Sequence, residues 1–222
     1  GEEIQPNVLW RNDGEGPDGV WRFVDISDNS GADARIYGMG LAVSDYDSDG
    51  YLDLFMTNIG ETLLLRNNGD GATFTNTMMH DAPDISMIGL SVRVTWGAVF
   101  LDFDNDGDED LYVASGYLGG QAAGNAQEQA NVLLRNMGDS TFIDISPGSG
   151  VDDSGVGRGV AYLDFDLDGC LDLYVVNFGQ TAKFFKNICD YELMSSFKTF
   201  SSLNDWMQDM AFISDPDDCF QC

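Results

Sequence analysis

Residues Asp45 to Asn58 read DYDSDGYLDLFMTN. Aspartates occupy its first, third, fifth and ninth positions, glycine occupies the sixth, and an alternating apolar segment follows at once. Carboxylates this close repel one another unless a cation lies among them. The alternation of the following segment is typical of a β-strand. The stretch therefore predicts a cation-binding loop that leads into a strand.

The acidic loop occurs three times in the chain. Asp102–Asp110 and Asp164–Asp172 repeat it, and each copy leads into an alternating segment, EDLYVAS and LDLYVVN respectively. Positions 1, 3, 5, 6 and 9 are identical in the three copies, whereas positions 2, 4, 7 and 8 vary. Aspartate and glycine are ordinary turn residues, but three aligned copies indicate a ligand cage rather than solvated turns.

A second motif alternates with the acidic loop. It reads NVLWRN from Asn7, TLLLRN from Thr62 and NVLLRN from Asn131, with a weaker copy, TAKFFKN, from Thr181. Each of the first three copies is followed by glycine and then by a short segment that begins at Phe23, Phe74 or Phe142.

Together the two motifs predict a unit of four short strands. An apolar strand enters the acidic loop, a second strand leaves it, a third carries Leu-x-Arg-Asn, and a fourth begins at the phenylalanine. Four-stranded units at a roughly fixed period are typical of β-propeller blades. The predicted fold is therefore all-β, built from propeller-type blades of four antiparallel strands, with a short C-terminal helix.

Oxygen ligands at alternate positions suit a hard cation. Calcium takes about six to eight oxygens and tolerates irregular geometry, whereas magnesium demands near-octahedral geometry and retains waters. An EF-hand would need a glutamate at position 12 and flanking helices. That position holds Met56, Val113 and Val175, and the flanking segments alternate as strands do. We therefore predict three Ca²⁺ sites that are not EF-hands.

The predicted ligands are the side chains at positions 1, 3, 5 and 9 and the main-chain carbonyl at position 7, where the residue type is free to vary. They belong to Asp45, Asp47, Asp49, Tyr51, Asp53, Asp102, Asp104, Asp106, Asp108, Asp110, Asp164, Asp166, Asp168, Cys170 and Asp172.

The composition excludes two classes of partner. The formal charge is −28, from 38 acidic against 10 basic residues. Nucleic acids and anionic membrane surfaces both require clusters of lysine and arginine. No apolar run reaches the ~18 residues that span a bilayer, so membrane insertion is not expected either.

We predict that residues 1–190 form the repeats and that residues 191–222 form a tail. Residues 202–213 have apolar side chains at helical spacing, with Ser202 as a candidate N-cap. Gly119 to Ala130 is a small-residue insertion and a predicted exposed loop.

The four cysteines, Cys170, Cys189, Cys219 and Cys222, lie in the last quarter of the chain and allow three disulfide pairings. We predict disulfides, with free buried thiols and a metal or redox pair as the alternatives.

The sequence contains no convincing catalytic set, and we expect no enzyme. His80 is the only histidine and lies in a predicted loop, and nucleophile-elbow, P-loop and dinucleotide motifs are absent. Glycosidases do use a pair of carboxylates for catalysis, but a catalytic pair would occur once in the chain rather than three times. Trp10, Trp21 and Trp96 lie in or beside predicted strands, where core packing is a better explanation than a sugar site.

Both motifs, in this order, resemble the FG-GAP/VCBS repeat proteins, which include integrin α-subunit propellers and cartilage acidic protein-like secreted propellers. The resemblance covers about residues 7–187. It implies a calcium-stabilised β-propeller outside the cell or at its surface, used for adhesion, carbohydrate contact or scaffolding. In that family the aspartates at positions 1, 3, 5 and 9 and the carbonyl at position 7 bind calcium, and all the side-chain positions match here.

The number of repeats departs from the family pattern, since propellers have about four to eight blades. The chain begins with third and fourth strands and ends after a first, a second and a weak third strand. Pairing of the two ends would give three blades. The alternatives are a fragment, an open array, or a protomer completed by its neighbour. Unpaired edges favour strand addition, so a homo-oligomer or head-to-tail fibre is a hypothesis.

We therefore expect an extracellular calcium-binding structural or adhesion module with a glycan or extracellular protein as its ligand. A lectin-like glycan-binding module is the alternative.

Overall fold

The computed structural model describes residues 3–78, 90, 93–117, 129–188 and 197–200. This part of the chain consists of antiparallel strands and connecting loops. The strands are β1 Trp10–Glu15, β2 Trp21–Asp25, β3 Gly40–Ser44, β4 Asp53–Thr57, β5 Leu63–Asn67, β6 Phe74–Asn76, β7 Thr95–Leu101, β8 Asp110–Ser115, β9 Val132–Asn136, β10 Phe142–Asp144, β11 Gly157–Leu163, β12 Asp172–Asn177, β13 Lys183–Asn187 and β14 Phe197–Phe200.

Three complete four-stranded sheets follow one another along the chain. Blade 1 contains β3 to β6, blade 2 contains β7 to β10 and blade 3 contains β11 to β14, each with its strands hydrogen-bonded in sequence order. The predicted all-β fold with four-stranded antiparallel blades is confirmed. Among the described residues, no helix is long and apolar enough to span a membrane.

Adjacent blades pack face to face because successive strand residues point to opposite sides of a sheet. In β8, Leu111 and Val113 are buried against blade 1, whereas Tyr112 and Ala114 are buried against blade 3. Both faces of blade 2 are therefore core, and all six residues of β8 are buried.

The first strands of neighbouring blades approach closely, and glycine makes this possible. A Cβ atom on Gly40 in β3 would lie 2.3 Å from the carbonyl oxygen of Trp96 in β7. A Cβ on Gly97 would lie 2.9 Å from the amide nitrogen of Val160 in β11. The contacts of β7 with β3 and β11 place these strands side by side at the inner edge of the array. The acidic loops lie at one end of these inner strands.

The N-terminal strands β1 and β2 form a two-stranded sheet, with a bulge between Asn12 and Gly14. They fit the predicted third and fourth strands of a preceding blade. Two stretches of chain cover the outer face of blade 1: the residues around Leu9, and Ala32 to Ile36. Trp10 and Trp21 are 56% and 61% exposed, so the prediction that they pack in a core is wrong. The two strands lack first and second strands beside them in the part of the chain that the structure describes.

The last blade differs from the prediction at its outer edge. The third strand β13 is fully paired, and a fourth strand, Phe197–Phe200, pairs with it through contacts such as Phe185 with Thr199. This strand falls inside the predicted tail. Because blade 3 has its own third and fourth strands, it needs no strands from the N-terminus, and β1 and β2 do not pair with it among the described residues, so the alternative in which the two chain ends pair is not formed there. His80, most of the predicted loop at 119–130 and the predicted helix at 202–213 lie outside the described residues.

Candidate metal centres

Each acidic loop connects the first two strands of a blade and is folded by its own aspartate at position 1. In loop 1 the Asp45 carboxylate accepts hydrogen bonds from the amides of Asp49 and Gly50 at 2.9 and 2.8 Å. The same pair of bonds forms in loops 2 and 3. Gly50 has φ +91°, and its counterparts Gly107 and Gly169 also have positive φ, which glycine adopts without steric cost.

Position 4 also has a left-handed backbone in every loop. Ser48, Asn105 and Leu167 have φ of 56°, 56° and 61°. The residue type at position 4 differs among the three copies, so a comparison of their sequences indicates no constraint there. The constraint acts on the main chain, so residue identity alone does not show it.

The aspartate at position 9 is the buried anchor of each cage. Asp53 and Asp110 have no exposed surface. The Asp110 carboxylate accepts hydrogen bonds from the amides of Phe103 at 3.1 Å and Asn136 at 2.8 Å. Burial raises the pKa of Asp110 to about 8 and the pKa of Asp53 to about 6. A cation beside these groups would favour their ionised forms.

The aspartate at position 3 offers an oxygen with no protein donor. Oδ1 of Asp47, of Asp104 and of Asp166 is buried and accepts no hydrogen bond. The Asp47 and Asp166 side chains are each only 7% exposed. A buried carboxylate oxygen without a partner is costly. Its recurrence at the same position of three loops indicates a site for a common ligand.

The structure brings together carboxylate oxygens of three aspartates in every loop. Within each group the oxygens lie within 4.8 Å of one another. Oxygens at opposite sides of a calcium ion are about 4.6–5.2 Å apart, since each lies about 2.3–2.6 Å from the ion. The groups are Asp45, Asp47 and Asp53; Asp102, Asp104 and Asp110; and Asp164, Asp166 and Asp168.

Some predicted ligands lie outside these groups. Asp49 and Asp106, at position 5, and Asp172, at position 9 of loop 3, are not among the converging oxygens. The main-chain carbonyls of Tyr51, Asp108 and Cys170 remain predicted ligands. An all-oxygen donor set with an orphaned carboxylate fits calcium, whose irregular coordination tolerates the difference between loops.

A basic side chain from the third strand of the same blade enters each cage. Arg66 Nε lies 3.6 Å from Asp47 Oδ2. Arg135 Nε lies 2.7 Å from Asp104 Oδ2, and its Nη2 donates to Asp106 Oδ2 at 3.0 Å. In loop 3, Lys186 Nζ donates to Asp166 and lies 3.4 Å from Asp168.

In blades 2 and 3, the asparagine that follows the basic residue joins its blade to the cage of the preceding blade. The Asn136 side-chain amide of blade 2 donates to the Tyr46 carbonyl of loop 1 at 2.7 Å. Asn187 of blade 3 donates in the same way to the Phe103 carbonyl of loop 2 at 2.7 Å. The sequence predicted neither this role nor that of the basic residue. The basic residue and asparagine that follow every acidic loop, Arg-Asn twice and Lys-Asn once, were the signal for both.

The stacked four-stranded blades and the acidic loop between the first two strands of each define a class of β-propeller-type repeat protein. The chain belongs to the FG-GAP-like repeat family, whose model matches residues 45–113 and 102–175. The match includes all three acidic loops, and the resemblance to this family is confirmed.

The chain is also similar to cartilage acidic protein 1 from several vertebrates. It is 30% identical over 174 residues to the Xenopus tropicalis protein, an alignment that covers 77% of this chain and 25% of that protein. The human protein is 30% identical over 175 residues, with 77% and 24% covered. The chain thus spans about a quarter of the length of the curated relatives it matches.

Proposed function

We propose that the chain is a calcium-binding structural or adhesion module that acts outside the cell and has no enzymatic role. The observation that carries the proposal is the orphaned, buried Oδ1 of Asp47, Asp104 and Asp166. A Ca²⁺ ion in each cage would be the partner of this oxygen. It would also offset the repulsion among carboxylates that the chain holds within a few ångströms of one another.

In this proposal every acidic loop supplies the aspartates at positions 1, 3, 5 and 9 and the carbonyl at position 7 as ligands. The aspartates at positions 1 and 9 are already held by main-chain amides, so binding needs little reorganisation of the loop. The ion would fix the first strand against the second, and through the asparagine contact it would fix each blade against the next.

Calcium removal tests the proposal. We expect excess chelator to lower the melting temperature of the full chain by many degrees, because an ion that binds only the folded state stabilises that state. Isothermal titration should show about three sites, as the three cages require. Asp47→Asn, Asp104→Asn and Asp166→Asn should each remove one site.

Magnesium at the same concentration is the control, and it should restore little of the lost stability. An unchanged melting temperature in chelator, together with no heat of calcium binding, would disprove the proposal.

The extracellular location is part of the proposal. We infer that Cys170 forms a disulfide, and disulfides persist mainly in oxidising compartments. The other cysteines lie outside the described residues, so their pairing stays a prediction. Mass spectrometry of the non-reduced protein tests it, and four free thiols would contradict it.

Glycan binding is the alternative function, and the exposed Trp10 and Trp21 rings of the N-terminal sheet favour it. Aromatic faces on a surface are suited to stacking against sugar rings. A glycan array distinguishes the two functions. Saturable glycan binding that Trp10→Ala or Trp21→Ala removes would support a lectin. If no glycan binds, only the structural or adhesion function remains.

We also propose that copies of the chain associate head to tail. Apolar side chains are exposed at both ends of the described array, with Leu41 54% exposed in blade 1 and Val176 47% exposed in blade 3. Because blade 3 already has four strands, stacking of blade faces is a better basis for this association than strand donation from a neighbour's N-terminus.

A further inference from the structure

The geometry points to a resident cation in every cage that opposes calcium, most strongly in the third. We propose that Arg66, Arg135 and Lys186 act as internal competitors of the metal and that they set a descending order of calcium affinity from loop 1 to loop 3. This inference rests on the proposed calcium binding and assigns a new role to residues that are not themselves ligands.

The basic group contacts the carboxylate that has the least other support. Asp47, Asp104 and Asp166, at position 3, each direct one oxygen to the basic side chain and leave Oδ1 without a hydrogen bond. The aspartates at positions 1 and 9 are held by main-chain amides instead. A calcium ion bound at position 3 would thus sit close to a fixed positive charge, and like charges repel.

The strength of this contact increases along the chain. Arg66 reaches one carboxylate at 3.6 Å, and its side chain is 46% exposed. Arg135 contacts two carboxylates, at 2.7 and 3.0 Å, and is 29% exposed. Lys186 also contacts two carboxylates and is only 16% exposed. Burial reduces screening by solvent, so the opposition to calcium should be smallest in loop 1 and largest in loop 3.

The type of residue reinforces this order. Arginine spreads its charge over a planar fork, whereas lysine carries a compact point charge. The Lys186 ammonium can therefore occupy the space between Asp166 and Asp168 much as a small cation does. Calcium must displace it to use both carboxylates.

A purely structural role for Lys186 makes a different prediction. If its stem served only to pack against blade 3, truncation of the charge would lower stability equally with and without calcium. If it is a competitor, its removal leaves the apo cage with unbalanced carboxylates but favours the loaded cage.

Lys186→Met in the full chain tests the competitor role, because methionine keeps the length of the side chain and removes the charge. Calorimetric titration with Ca²⁺ should show the weakest of the dissociation constants tightening at least about tenfold. The melting temperature should fall in chelator, and the rise on addition of calcium should exceed that of the wild type.

Lys183→Met is the matched control. Lys183 is another lysine of β13, and alternation places it on the opposite face from Lys186. Its substitution should leave all calcium constants unchanged. The inference would be overturned if the weakest calcium dissociation constant is unchanged in Lys186→Met. It would also be overturned if this variant loses the same stability with and without calcium. Neither result would contradict the proposed calcium binding. Absence of calcium binding by the wild type would overturn both.

The order of the sites is tested separately with variants at position 1. Asp164→Asn should remove the weakest binding step and leave the tightest, whereas Asp45→Asn should remove the tightest. Loss of the tightest step in Asp164→Asn would contradict the proposed order even if Lys186→Met does not fold.

Discussion

At the scale of single residues, Leu167 occupies a backbone conformation that suits it poorly. It has φ of 61° at position 4 of loop 3, and its side chain is 86% exposed. The left-handed region costs a residue with a branched apolar side chain about 1–2 kcal/mol, whereas asparagine adopts it more readily. Loop 2 has Asn105 at the same position.

Leu167→Asn should therefore stabilise the protein by about 1 kcal/mol, because the exposed leucine loses no packing. In a chain of this size that corresponds to a rise of about 2–4 °C in melting temperature. Ser48→Leu introduces leucine at the equivalent position of loop 1 and should lower the melting temperature. Equal melting temperatures for all three proteins would show that position 4 imposes no such constraint.

At the scale of secondary-structure elements, the ends of the third strands of blades 2 and 3 each contact two loops. The Asn136 main-chain amide donates to Asp110 of its own loop, and its side chain donates to the Tyr46 carbonyl of the preceding loop. Asn136 is 1% exposed, so neither bond is readily replaced by water. The strand thereby links the geometry of two cages.

Asn136→Ala should cost about 1–3 kcal/mol, because it leaves a buried carbonyl without its donor. It should also weaken calcium binding at loop 1, although residue 136 belongs to blade 2. Calcium titration together with thermal unfolding measures both effects.

Asn67→Ala is the control for this prediction. Asn67 ends the third strand of blade 1, and its side-chain amide donates to Leu52 of its own loop at 3.1 Å. Asn67→Ala should weaken calcium binding at loop 1 alone. Its effect on calcium binding and on thermal unfolding should be smaller than that of Asn136→Ala. If Asn136→Ala changes only the constant of loop 2, the proposed connection between blades is wrong.

The sequence predicted most of the strands because each copy repeats the same alternation. The fourth strand of blade 3 was missed because residues 197–200 read FKTF and lack the Phe-x-Asp-Ile-Ser pattern. The exposure of Trp10 was missed because burial depends on which strands lie nearby, and a strand pattern does not contain that information. The aspartates of the cages were visible in the sequence, whereas the roles of Asn136 and Lys186 depend on contacts between distant residues.

At the scale of the whole molecule, stability comes from stacked faces rather than from one central core. Tyr112 and Ala114 of blade 2 are fully buried against blade 3. At the equivalent positions of blade 3, Tyr174 is partly buried and Val176 is 47% exposed. The last face of the described array thus keeps the apolar character of a face that another blade would cover.

We expect the chain with calcium to sediment as an oligomer at micromolar concentration, because burial of such faces is favourable. Val176→Asp should shift it toward the monomer, since the new carboxylate would be buried without a partner. Leu167→Asn, which changes an exposed loop residue, is the control and should not alter the size. A monodisperse wild-type monomer would contradict the expected association.

The asparagine that joins each loop to the following blade has a consequence for how such arrays change in length. Because every period carries one loop and one asparagine, a duplication or deletion of a whole period restores the same contact across the junction, wherever its breakpoints fall. An insertion of part of a period breaks that contact and leaves one loop carbonyl without its donor. We therefore expect the number of blades in such an array to change in whole steps.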